Sequence, residues 1–141
     1  LGYFVGRRNE QRHYESIYAR EAALAGFPVN ASKEWDLNQT VEDSRMVQSS
    51  VVISIDYFKR FASGLRNIFG GEVRSLETLL DRARREAVLR LKESCPEADI
   101  IVNLRLDTSS ISGAKPDPNN KSIMSVEVIA SGTAIRYARK P

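Results

Sequence analysis

The side chains best suited to chemistry are scarce: 141 residues contain one cysteine and one histidine. Cys95 stands beside Pro96 with no second thiol, and His13 lies far from it along the chain. Zinc and soft-metal centres use paired thiolates or Cys/His sets, because several ligands together must replace the ion's water. Cys95 alone reads as a small, buried hydrophobe. A disulfide framework is excluded, and a nucleophile–histidine machine would have to run through His13 without companions. Asp107 and Glu127 fall on segments that read as pairing strands, and could hold a hard cation only with oxygens from another chain. Asp56 precedes a helical pattern and reads as an N-cap. Nothing converges on a nucleophile or an acid–base pair. The sequence therefore offers no catalytic residue, no cofactor and no metal ligand set, and the expectation is a protein that is not an enzyme.

Two further patterns invite a ligand. Arg60 to Gly71 (RFASGLRNIFGG) combines glycines with arginines but lacks the Gly-Lys-Ser/Thr ending of a phosphate loop, so it reads as an amphipathic helix stopped by Gly70-Gly71. Arg82, Arg84, Arg85 and Arg90 form a basic stripe, but Glu77, Asp81, Glu86 and Glu93 interleave with it. That mixture fits a solvated face or a charge network between subunits better than nucleic acid, and stacking aromatics are missing. A net charge of +3, from 21 basic and 18 acidic residues, does not demand a polyanion either.

The elements that must position these residues follow from periodicity. Asn9 to Ala25 carries Tyr14, Ile17, Tyr18 and Ala22 at helical steps and stops at Gly26-Phe27-Pro28. With few large aliphatics it reads as a stalk or a helix docking on a neighbour. The polar stretch from Asn30 to Ser44 reads as a linker carrying one buried anchor, Trp35. Val47 to Ile55 is a predicted strand and Tyr57 to Phe69 a predicted helix. Ser75 to Cys95 gives the strongest helical signal, with Leu76, Leu79, Leu80, Ala83, Ala87, Val88 and Leu91 facing a core and Ser75 as N-cap. In Asp99 to Asp107, strict alternation puts Ile100, Val102, Leu104 and Leu106 on one face and Ile101, Asn103, Arg105 and Asp107 on the other. Met124 to Tyr137 alternates again, with a bulge or close approach at Gly132. The predicted fold is α+β: a small, mainly antiparallel sheet packed on one long helix, with an additional N-terminal helix. The domain organisation is residues 1–44 as helix and linker and 45–141 as the α+β unit.

Leu1 to Val5 ahead of Arg7-Arg8 resembles the last turn of a membrane helix with its basic stop, although no stretch reaches the ~20 apolar residues a span needs. The expectation is a cytoplasmic domain; the anchor reading puts it on the cytoplasmic face of a membrane through a helix preceding Leu1, and the alternative reading of Leu1 to Val5 is a frayed terminus. An unpaired Cys95 suits a reducing compartment.

From about Met46 the chain resembles the YbjQ-like family of heavy-metal-binding description and undefined function. The resemblance rests on Tyr57 to Gly71, on Leu80-Asp81-Arg82-Ala83-Arg84-Arg85-Glu86-Ala87, and on Ala98 to Leu104 with Ser131-Gly132-Thr133-Ala134-Ile135. Departures are Ser54, Pro96-Glu97 and Asn103 where the family shows glycines. The resemblance implies dodecin-like subunits in pentameric rings, hence a homo-oligomer. The sequence agrees on one point: Ile129, Ile135 and Tyr137 alternate with Met124, Val126 and Val128, so the last strand is apolar on both faces and calls for a second cover. Ile129, Ile135 and Tyr137, with Arg84 and Arg85 at the rim, are the expected oligomer interface. The expected function is a non-enzymatic oligomeric scaffold or small-ligand-binding module. The alternative is metal or metabolite binding at sites shared between subunits.

Overall fold

The computed structural model describes residues 2–54, 72–112 and 124–139. Helix α1 (Gly2–Ala23) is followed by strand β1 (Val41–Ser54), helix α2 (Glu72–Glu93) and strands β2 (Ile100–Ser112) and β3 (Met124–Tyr137). The sheet order is β1-β3-β2, with β3 antiparallel to both neighbours. Helix α2 lies across β1 and β3 on one face, so the α+β expectation holds. The predicted helix over Tyr57 to Phe69, its Gly70-Gly71 stop and the Asp56 cap lie outside the described residues.

The core forms where alternation in the strands meets the helical period. Val47 on β1, Ile101 on β2, and Val128, Ala130 and Ala134 on β3 pack against Ala83, Ala87, Leu91 and Cys95 of α2 and its C-terminal end. Alanines at the closest approach let the helix lie low, and Ser49 Oγ donates to the Ala87 carbonyl at 2.6 Å, tying β1 to α2. Gly132 serves the same closeness inside the sheet. A Cβ there would stand 2.7 Å from Ile101 Cγ2 and 3.2 Å from the Val102 carbonyl oxygen.

The structure corrects several boundaries and one face. β1 begins at Val41, inside the expected linker, because its backbone pairs with β3 from Tyr137 onward. Val41 to Met46 are all exposed, so polar residues cost nothing there and the apolar pattern that marks a strand is lacking. α2 starts at Glu72, which leaves Ser75 inside the helix and not at its cap. α1 starts at Gly2 and takes in Arg7-Arg8; no described helix is long and apolar enough to cross a membrane.

In β2 the register shifts between Val102 and Arg105, and Asn103 sits at φ 54° in the left-handed region. Asparagine tolerates that backbone better than most residues. The extra residue reverses the alternation. Ile101 joins the core under α2, Val102 faces away with Ile100, and Leu104 returns to the helix side. Residues 28–32, expected as linker, run beside the outer edge of β2. Val29 bridges Ile101 in parallel, and Asn103 N–H donates to the Ser32 carbonyl at 2.6 Å.

Replacing Leu91, which is fully buried, with Ala should cost about 2–5 kcal/mol. Gly132→Ala should cost about 1–3 kcal/mol through overpacking against the Val102 carbonyl. Urea denaturation of both variants at neutral pH measures these losses; an unchanged midpoint for Gly132→Ala would refute the close approach.

Candidate functional site

The expected outer face of α2 turns out to be shared with α1. Arg20 on α1 reaches two turns of α2 at once: its Nη1 donates to Glu86 Oε2 and its Nε to Glu93 Oε1, both at 2.7 Å. Arg90 Nε also donates to Glu86, at 2.8 Å, from one turn further along α2. Next to Glu86 in sequence, Arg85 Nε donates to Glu21 at 2.7 Å and its guanidinium lies 4.9 Å from the Tyr18 ring centroid. Arg82 stands 5.5 Å from the Tyr14 ring, and Lys92 Nζ donates to the Leu24 carbonyl at 3.2 Å. Between these contacts Ile17 and Leu89 are buried, and so is Glu86. Sequence periodicity placed Val88 on the core face and overlooked Leu89, because it allowed α2 one apolar side and not two. The i,i+4 spacing of Glu86 and Arg90 was legible; the third partner, Arg20, comes from 66 residues away.

Electrostatics follow from these contacts. Burial pushes the Glu86 carboxyl up, but hydrogen bonds from Arg90 and Arg20 outweigh it and hold it below the ordinary range. The Arg20 hydrogen bond holds Glu93 down, and that of Arg85 does the same for Glu21. Cys95 is fully buried; its thiol donates to the Leu91 carbonyl at 3.3 Å, and burial raises its pKa. A thiol held protonated away from water is a poor ligand for a soft metal. Among the described residues, moreover, no three of His, Cys, Asp and Glu come close enough to hold an ion. These residues do not fit a heavy-metal centre within one chain.

A second feature is the sheet face turned away from α2. Ile135 and Tyr137 lie there as expected but are buried within the chain, clustered with Val102 and Ile100. Segment 28–40 accounts for this: Asp36 N–H donates to Tyr137 Oη at 3.2 Å, and Ala138 N–H donates to the Thr40 carbonyl at 2.8 Å. Ile129 is half-buried, while Met46 and Val52 on β1 are 73% and 59% exposed. Asp107 pairs with Ile129, and Glu127 with Ser109 on one side and Val52 on the other. The register therefore sets both carboxylates on this same face. Arg84 is exposed, whereas Arg85 is engaged by Glu21 of its own chain. Trp35, the expected buried anchor, is 44% exposed.

A cleft of about 500 Å³ opens where the end of α1 meets the end of α2, lined among others by Leu24, Phe27, Lys92, Pro96 and Asp99. Its polar side chains already have partners in the chain: Lys92 holds the Leu24 carbonyl, and Asp99 accepts the Tyr137 N–H at 2.8 Å.

Residues 28–138 match a family model whose description reads "Putative heavy-metal-binding". The chain belongs to this YbjQ-like family. The match begins at residue 28 and so includes the segment beside β2. A UPF0145 protein of Natronomonas pharaonis is 34% identical over 101 residues, which is 70% of this chain and 88% of that one. A UPF0145 protein of Acidothermus cellulolyticus is 38% identical over 90 residues, 62% of this chain and 74% of its own. A crystal structure from Pediococcus pentosaceus, of a DUF74-family protein with unknown function, aligns with a TM-score of 0.49 at 17% identity. It spans 80% of this chain and 99% of that one.

Glu21, Glu86 and Glu93 have folded pKa values below their ordinary 4.5. Their stabilisation is present above that value and is lost as pH falls through the lower folded values. Urea midpoints measured from pH 7 down to about pH 3 should therefore fall at the acid end. Arg20→Gln should flatten that acid limb; an unchanged slope would show that the pairs contribute nothing.

Proposed function

We propose that this YbjQ-like chain is a non-enzymatic subunit of a homo-oligomer, serving as a scaffold or small-ligand module. The observation that carries this reading is the sheet face opposite α2, where Met46 and Val52 are exposed beside half-buried Ile129. Among the described residues no helix packs on that face, and a second copy of the chain would take such residues out of water. Burying a large apolar side chain gains roughly 1.5–3 kcal/mol, and a ring repeats that gain at every contact. Ile135 and Tyr137 belong to the expected interface but are closed over by residues of their own chain, so the contact centres on β1 and the Ile129 end of β3. Closure with five copies is what the family resemblance implies. What supports a role without catalysis is that the buried carboxylate and thiol among the described residues, Glu86 and Cys95, are held by Arg20 and Arg90 and by the Leu91 carbonyl.

A second reading rests on Asp107 and Glu127, which share that face through the strand register. Carboxylates on a surface that meets another copy could complete a hard-cation site between subunits.

Sedimentation at micromolar concentration should give a mass several times the 15.8 kDa of one chain. Val52→Asp should reduce it to the monomer while leaving the fold intact, since Val52 is largely exposed in one chain. A wild-type monomer would sink the assembly. Calcium or manganese added to the oligomer should bind in wild type and not in the Asp107→Asn/Glu127→Gln variant if the second reading holds.

A further inference from the structure

Helix α1 and the rest of the molecule are joined by different physics. Sheet and α2 share a continuous apolar core, from Val47 through Ile101 and Val128 to Leu91. Among the described side chains, α1 meets α2 through the Arg20 fork on Glu86 and Glu93, the Arg85–Glu21 pair and two arginine–tyrosine stackings, and Ile17 is the one apolar side chain of α1 that is fully buried. Beyond α1 the chain is fastened again without its help. Asn30 N–H donates to the Ile101 carbonyl at 2.9 Å, and Ile101 N–H to the Pro28 carbonyl at 3.1 Å. Between the two attachments lies Gly26, with nothing within 4 Å of where its Cβ would stand. Ion pairs at a partly wet seam weaken with salt, whereas an apolar core does not.

We propose that α1 is a detachable arm, latched on α2 by Arg20 and Arg85, which leaves as a unit about the Gly26 turn while the sheet and α2 stay folded. Opening bares the buried side chains of Ile17, Leu89 and Glu86. It also removes Leu24, one wall of the cleft at the end of α2. The arm thus controls an otherwise covered flank of α2, and ionic strength or a competing anion for Arg20 is what moves it. The Glu86 carboxylate keeps Arg90 as a partner after opening, so the cost of uncovering it is limited.

Amide hydrogen exchange on the whole chain tests the latch. In roughly 1 M NaCl, where screening acts beyond about 3 Å, amides of residues 14–24 should exchange roughly tenfold faster, with those of β3 unchanged. Arg20→Gln should produce the same effect at low salt, while Arg84→Gln, which removes an equal charge from an exposed position of α2, should not. Exchanging Arg85→Glu with Glu21→Arg in one variant should restore protection lost in Arg85→Glu alone. Equal acceleration of α1 and β3, or no effect of Arg20→Gln, would overturn the proposal: the first makes α1 part of the cooperative core, the second makes its attachment apolar.

Discussion

Strand β3 is hydrogen-bonded along both edges, to β1 from Val41 to Ser54 and to β2 from Ile100 to Ser112. Every other placement depends on that double register. A strand paired on both sides cannot slip by one residue without turning its whole apolar set to the wrong face. Val128, Ala130 and Ala134 are thereby committed to α2, and Ile129, Ile135 and Tyr137 to the opposite side. The close approach at Gly132 opposite Val47 and Val102–Leu104 lies at the middle of this arrangement, where β2 shifts its register.

What could be read from the sequence was what repeats. The long helix, the two-sided last strand and the α+β class all follow from regular spacing, and the structure keeps them. The first part of β1 was illegible because a strand with exposed residues on both faces carries no apolar signature; only its partner makes it a strand. The face reversal in β2 was hidden for another reason. One residue in the left-handed region at Asn103 undoes a strictly alternating pattern, and the letters on either side do not change.

The charged seam was half legible. The interleaving of acids and arginines along α2 was visible, and it looks the same whether the face meets water or another helix. Leu89 carried the missing signal: an apolar residue between Glu86, Arg90 and Glu93 on a face otherwise charged. Cys95 shows the reverse case, in which the plainest reading was enough. Its thiol lies in the core against the Leu91 carbonyl, and its chemistry is that of packing.

Among the described residues, the segment beside β2 makes the two borders of the sheet chemically unequal. Between Ile101 and Leu104 the N–H groups of Ile101, Asn103 and Leu104 and the Ile101 carbonyl are taken by residues 28–32, and the turned backbone at Asn103 interrupts the row. An incoming extended chain finds no straight template there. Strand borders left open are the usual starting points for uncontrolled stacking into fibres, and covering one is a common defence. This protein covers part of one border with its own chain, so growth by strand addition cannot begin along that stretch.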